Sequence, residues 1–349
     1  MTTEKPSGKQ ATPAPLPSRI GRFHITRELG RGSLGAVYVG HDPVIDRDVA
    51  IKTFNPTSQS QSRRSGEQQL INEARAAGRL SHPHIVTIFE ASSEGPITYM
   101  AMELLHGREL NKLLDDGHKF DYDEVASIIW KLSDALDYAH RHAVVHRDIK
   151  PANIFLVDDH QPKLVDFGIA RAPNRVAEQL SIDEPPVTLF RNNLLGTPNY
   201  MSPEQATGRE VDRRTDIYSL GAVMFEMLTG RKPFQSRDTD KLLHLIAHKA
   251  ADKPHELDSA IPMILSRIVT KAMSKQADRR YQSAGAMTLD LKRYLIAGKR
   301  ARRKLRMALP MLQTDDPDDA PIIRRTPFLA GCALVAGVLL TLLLMQLQF

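Results

Sequence analysis

The sequence holds one cysteine, Cys332, and one tryptophan among its 349 residues. A single thiol excludes an intrachain disulfide and any metal cluster built on several thiolates. That suits a reducing compartment for the folded part. The N-terminal stretch MTTEKPSGKQATPAPLPS lacks the apolar core of a secretory signal. Its Pro, Ser, Thr and Lys content predicts a disordered leader over residues 1–20. No self-similarity recurs at solenoid periods, which excludes a repeat architecture. Acidic residues are outnumbered, giving a net charge of +6 and a pI near 9.3. The excess does not mark a nucleic-acid binder, because six basic residues fall in the eight-residue run KRARRKLR at 299–306. No predicted helix presents a basic, base-reading face, so nucleic acid is not expected as a partner.

Charge is missing altogether from the last stretch, TPFLAGCALVAGVLLTLLLMQLQF at 326–349. A bilayer-spanning helix needs about 20 such residues. A buried core helix is the alternative, but it would rarely follow a basic cluster and the acidic, Pro-containing segment TDDPDDAP. The expectation is a transmembrane helix over 327–349 after a charged juxtamembrane linker over 299–326. Arg324 and Arg325 flank its start, which by the positive-inside tendency keeps the preceding chain cytoplasmic. The expected location is the cytoplasmic (inner) membrane, single-pass, with no external sensor domain in the chain. Ala333 and Gly337 form one small-xxx-small pair through which two such helices would pack as a homodimer. A single pair favours ordinary lipid-facing helix. The 299–306 cluster reads equally well as a solvated helix end or as a patch attracted to anionic lipid.

Between these ends the pattern changes once. The runs FHITRELG, AVYVGHD, DVAIKTF, IVTIFEA and ITYMAME are short, rich in β-branched and aromatic residues, and separated by turn residues. One helical stretch, 66–80, interrupts them. After residue 103 helices dominate: 123–142, 214–230, 240–250, 262–273 and 283–297, with short strand-like pieces at NIFLV and KLVDF. Val125, Ile129, Leu132, Leu136 and Ala139 recur at spacings of three and four and mark one buried face. A small β-rich lobe (21–103) therefore precedes a larger helical lobe (104–298), with a cleft expected between them.

Several motifs fall where that cleft would be. GRGSLGAV places Gly30, Gly32 and Gly35 between two predicted strands, where a glycine-rich hairpin lets backbone amides approach a phosphate. A hairpin with no ligand has the same sequence signal. Lys52 ends the strand VAIK, and Glu73 on the following helix offers it a carboxylate partner. VVHRDIKPAN then sets a carboxylate, an ammonium and an amide at Asp148, Lys150 and Asn153. With a phosphate donor above, Asp148 would accept or orient a hydroxyl proton, and Lys150 would neutralise the transferring group. Asn153 and Asp166 would offer oxygen ligands to a hard cation, with Gly168 allowing a sharp turn. His146 reads as packed, hydrogen-bonded structure rather than as a base or ligand.

In this order the motifs resemble the eukaryotic-type (Hanks-type) protein kinases over roughly residues 21–298. DFGIAR and YMSPEQATG are most similar to the bacterial Ser/Thr kinases, many of them single-pass membrane proteins. The resemblance implies the α+β, two-lobed protein-kinase fold, with ATP and Mg²⁺ as cofactors and proteins as substrates. It implies catalytic roles for Asp148, Lys150 and Asn153, and metal binding by Asn153 and Asp166. For the nucleotide it implies the glycine loop Gly30, Arg31, Gly32, Ser33, Leu34 and Gly35, then Val37, Ala50, Lys52, Glu73 and Asp166. The hinge would meet adenine through the backbone of Glu103 and Leu105. Asp216 would brace the catalytic loop, and Arg280 would pair with Glu204. Lys150 and Thr197 resemble the Ser/Thr branch.

Arg147 and Arg171 resemble a pocket for a phosphorylated activation loop. That loop spans 39 residues from Asp166 to Glu204, and its middle matches no familiar motif. Thr188, then Ser181, are the expected autophosphorylation sites. A non-catalytic scaffold is the first rival, opposed by a complete set of chemical residues. A small-molecule kinase is the second, opposed by GTPNYMSPE, which resembles a platform for a polypeptide.

Overall fold

The fold is described from a computed structural model over residues 16–32, 35–54, 71, 74–75, 77–95, 97–158, 160–167 and 198–308. Six strands form the N-terminal sheet: β1 (Arg19–Ile20), β2 (Phe23–Gly32), β3 (Gly35–Asp42), β4 (Arg47–Phe54), β5 (Ile88–Glu94) and β6 (Ile97–Glu103). All pairs are antiparallel, in the order β1-β2-β3-β4-β6-β5. Side chains alternate across the pleat. Phe23, Val49, Ile51, Tyr99 and Ala101 bury on one face. Ala50, Met100 and Met102 bury on the other, toward the second lobe.

In this lobe two boundaries shift from the sequence reading in ways that matter. Ile20 is buried and pairs with Phe23, so the sheet begins inside the stretch assigned to the leader. β5 starts at Ile88, not Ile85, because the backbone of 84–86 bonds elsewhere. Val86 N–H donates to Leu164 O at 2.9 Å, and Leu164 N–H donates to His84 O at 2.9 Å. That bridge ties the first lobe to the second.

The second lobe opens with β7 (Gly107–Glu109), which joins β8 (Ile154–Val157) and β9 (Gln161–Leu164) in a small antiparallel sheet. Its helices are α1 (Leu110–Asp115), α2 (Tyr122–Arg141), α3 (Pro203–Ala206), α4 (Arg214–Thr229), α5 (Thr239–His248), α6 (Pro254–Leu257), α7 (Met263–Ala272) and α8 (Ala284–Ala308). The predicted α2 stripe, Val125, Ile129, Leu132, Leu136 and Ala139, is fully buried. Asp121 caps the start of this helix by accepting from Asp123 N–H. α4 is buried from Thr215 through Leu228 and is apolar on nearly every side, as a central helix must be. Gly230, at φ 67°, ends it in the left-handed conformation that glycine adopts without strain.

α8 runs to Ala308, past the end predicted at 297, so the cluster assigned to the linker begins as helix. Lys, Arg, Ala and Leu are strong helix formers, and Gly298 costs only about 1 kcal/mol against Ala. Of the helix predicted over 66–80, residues 71, 74–75 and 77 are helical, but 78–79 form a turn and 80 is irregular, so the helix ends before the predicted boundary. Among the described residues no helix is long and apolar enough to cross a membrane. The anchor read at 327–349 lies outside them, as do Ser33, Leu34, Glu73, Gly168, Arg171, Ser181, Thr188 and Thr197.

Candidate active site

The loop between α2 and β8 carries Asp148, Lys150 and Asn153, and the structure brings them together. Lys150 Nζ donates to Asp148 Oδ2 at 2.8 Å. Asn153 Nδ2 donates to the same oxygen at 3.0 Å and to Asp148 O at 2.8 Å. A carboxylate gripped by a cation and an amide is fixed in direction. With its nitrogen engaged twice, Asn153 keeps its amide oxygen as the ligand atom. Asn153 O also accepts from Val165 N–H at 3.0 Å, which sets Asp166 beside the loop.

His146 holds the other side of Val165. It is fully buried, donates through Nε2 to Val165 O at 3.1 Å, and accepts at Nδ1 from Asp148 N–H at 3.3 Å. Burial pushes its pKa below the ordinary imidazole value, and one donor plus one acceptor is the pattern of the neutral ring. Its ring lies 4.6 Å from that of Phe167, centroid to centroid. His146 is therefore a structural post.

Beneath the loop sits Asp216 on α4, with no exposed surface. It accepts from Arg147 N–H at 2.7 Å, from His146 N–H at 2.8 Å and from His140 Nε2 at 2.8 Å. These bonds hold Arg147 at φ 64°, a conformation that costs a non-glycine residue of order 1–3 kcal/mol. Asp166 is likewise at φ 59°. The bonds to the Arg147 backbone and the Lys52 pair at Asp166 hold both residues in place. Gln205 adds a bond to Arg147 O at 2.8 Å. The Arg147 Nε is buried without an acceptor among the described residues.

From the first lobe, Lys52 on β4 reaches across the cleft to Asp166 Oδ2 at 2.6 Å. Val37 and Leu105 line the cleft with Ala50, Met102 and Val165. Glu103 N–H is engaged with Thr87 O at 2.9 Å, and its side chain pairs with Lys163 at 2.8 Å. That pair fastens the connecting strand to β9. Arg31 turns outward to Glu28 at 2.6 Å, so any contact it makes with a ligand comes from its backbone. Lys163, His140, Gln205, Met102 and Val165 were not singled out from the sequence. Each acts through partners distant along the chain, and local spacing carries no trace of that.

The three loop glycines differ in kind. A Cβ on Gly35, at φ 149°, would stand 1.8 Å from Thr53 O. On Gly30 or Gly32 it would meet no described atom within 4 Å. Thermal unfolding should therefore show Gly35→Ala destabilised by about 1–3 kcal/mol, with Gly30→Ala and Gly32→Ala close to the parent. Equal loss at all three would refute the distinction.

Known proteins are similar to this chain in sequence and in fold. The protein kinase domain family matches residues 23–290. A probable serine/threonine-protein kinase of Clostridium acetobutylicum is 34% identical over 77% of this chain and 39% of its own length. The serine/threonine-protein kinase PrkC of Bacillus subtilis is 35% identical over 78% of this chain and 40% of its own. The chain thus spans about two fifths of the length of these curated relatives. The solved PknI kinase domain of Mycobacterium tuberculosis shares the fold, with a TM-score of 0.61 at 23% identity, covering 80% of this chain and 99% of that one.

Proposed function

The chain belongs to the protein kinase domain family, and from that premise we propose that it is a serine/threonine protein kinase. In this reading it moves the γ-phosphoryl group of Mg·ATP to Ser and Thr hydroxyls of proteins. One observation carries the reading: two fixed carboxylates meet at the cleft, Asp148 gripped by Lys150 and Asn153, and Asp166 held 2.6 Å from Lys52.

The residues present suit both groups. Asp166 and the Asn153 amide oxygen are hard ligands of the type Mg²⁺ prefers. The open space above Gly30 and Gly32 leaves room for phosphates against backbone. When bound, Mg²⁺ would neutralise negative charge on the phosphate oxygens. Lys52 would hold phosphate oxygens, with Glu73 as its partner on the helix that follows. Asp148 would accept the hydrogen bond of the attacking hydroxyl and take its proton as the new oxygen–phosphorus bond forms and the bond from the γ-phosphorus to the bridging oxygen breaks, releasing ADP. Lys150 would stabilise charge on the group in transit. Val37 and Ala50 would cover the adenine, whose edge would meet the backbone of Glu103 and Leu105. Little bond-making is asked of the protein, because the transition state is loose; position and charge supply most of the catalysis.

Regulation follows from Arg147. Its Nε, without an acceptor among the described residues, supports a phosphate-binding role once the activation loop is modified, with Thr188 and then Ser181 as the sites. We further take 327–349 as a single-pass anchor that holds the kinase at the cytoplasmic membrane; the uncharged run supports this.

The test uses the full chain in detergent with Mg·ATP and a generic acceptor such as myelin basic protein, followed by mass-spectrometric site mapping. Phosphate on Ser and Thr of the acceptor, and on Thr188 or Ser181 of the chain, is expected. ATP binding without any transfer would favour the scaffold rival. Modified chain with Thr188 and Ser181 both bare would remove the regulatory part alone.

A further inference from the structure

Two large apolar side chains stand out on the last helix of the lobe. Leu289 and Ile296, on α8, are 57% and 50% exposed. They are seven residues apart, close to two turns, so they share one outward face. Lys292, Arg293, Lys299 and Arg300 surround them on the same helix. Arg293 pairs with Asp290 at 3.2 Å, and Lys292 lies 3.9 Å from Asp134 while resting over the Trp130 ring at 4.5 Å. Exposed pairs of this kind bind weakly, so the face keeps a positive excess. Past Arg300 the helix continues unbroken to Ala308, through Arg302, Arg303, Lys304 and Arg306. From Leu289 to Arg306 is about 25 Å of rigid helix.

We propose that this face of α8 docks on an anionic lipid bilayer. The inference rests on the anchored reading above. An apolar strip flanked by cations is the chemistry of a helix lying in a membrane interface, with its alkyl groups among acyl chains and its cations at lipid phosphates. Where the chain goes next selects the occupant. Only residues 309–326 separate α8 from the apolar run at 327–349, so the helix end stays within about 65 Å of the bilayer even if that segment is fully extended. The acidic residues Asp315, Asp316, Asp318 and Asp319 lie in the connecting segment and repel lipid there. They do not lie on α8, whose continuity carries the cations as part of the folded lobe. The lobe would then rest on the membrane along α8 as well as being held by the anchor.

The test places an environment-sensitive fluorophore on the full chain through Ile296→Cys in a Cys332→Ser background. The labelled chain is reconstituted into vesicles of phosphatidylcholine alone, or with about 30% phosphatidylglycerol. A blue shift with a several-fold rise in emission is expected on the anionic vesicles only. It should reverse in about 0.5 M NaCl. It should also vanish when Lys292→Gln, Arg293→Gln, Lys299→Gln and Arg300→Gln are combined, with phosphoryl transfer to the acceptor retained as the control for folding. Equal emission on both vesicles would overturn the proposal. So would a shift that grows with protein concentration in detergent without lipid, which would assign the face to a second copy. A chain washed off neutral vesicles by carbonate would sink the anchor alone; flotation of parent against the four-fold variant with anionic vesicles would still decide the docking.

Discussion

Asp148→Asn is expected to lower phosphoryl transfer about 10²–10⁴-fold, the range for loss of a positioned proton acceptor. The substitution keeps shape and removes charge. Asn153 and Lys150 can still bond the amide oxygen that replaces Oδ2, so the loop should hold its course. Both members of the Asp148–Lys150 pair are about a quarter exposed, and such pairs contribute about 0–1 kcal/mol to stability. The thermal midpoint should therefore move little, and ATP should bind as before. The loss should fall on kcat, with KM for ATP nearly unchanged, since Asp148 serves the acceptor and not the nucleotide. A kcat within a few-fold of the parent would mean that proton acceptance at this carboxylate is not part of the reaction.

Glu204→Gln should instead strike stability. Arg280 is fully buried, and all five of its N–H groups have acceptors. Nη1 and Nη2 each reach a Glu204 oxygen at 2.7 Å. The rest bond Ser274 O at 2.7 Å, Lys275 O at 3.1 Å and Arg214 O at 3.2 Å. Thr215 donates to Glu204 as well, at 2.6 Å. Removing the carboxylate leaves a buried cation without its counter-charge, which costs about 3–5 kcal/mol. Arg280→Lys should lose nearly as much, because an ammonium cannot span the same five acceptors. Urea unfolding at neutral pH measures both.

The pH dependence has a definite sign. Burial alone would raise the Glu204 carboxyl, but the Arg280 hydrogen bonds and charge outweigh it and hold the pKa below the ordinary 4.5. The pair's contribution is thus complete above pH 4.5 and fades as pH falls through the lower folded value. The gap between parent and Glu204→Gln should begin to narrow once pH drops below 4.5 and close further as it falls through the folded value. A gap that stays constant into stronger acid would contradict the assignment.

Glu204 and Arg280 also mark how far the sequence could be read. Their partnership came from resemblance; nothing in a separation of 76 residues announces it. By contrast, the α2 stripe and the β3 and β4 strands were legible because their periods of 3.6 and 2 record a single buried face. The Asp148, Lys150 and Asn153 cluster was legible because loop positions separated by five at most cannot be far apart. β5 was placed three residues early, since its apolar run continues into Ile85 and Val86. Only the tertiary bridge to β9 diverts those residues from the sheet.

The sequence by itself determined the two-lobed order, the local cluster of chemical side chains and the uncharged C-terminal run. Periodicity, turn chemistry and short-range spacing are properties of neighbouring residues. The tertiary structure decided which distant groups meet: Lys52 with Asp166, Asp216 under Arg147, and Glu103 fastened by Lys163. It also decided that Gly35 is required by Thr53 while Gly30 and Gly32 are left open. Those outcomes depend on how separate elements pack, and packing distance is not written in the spacing of residues along a chain.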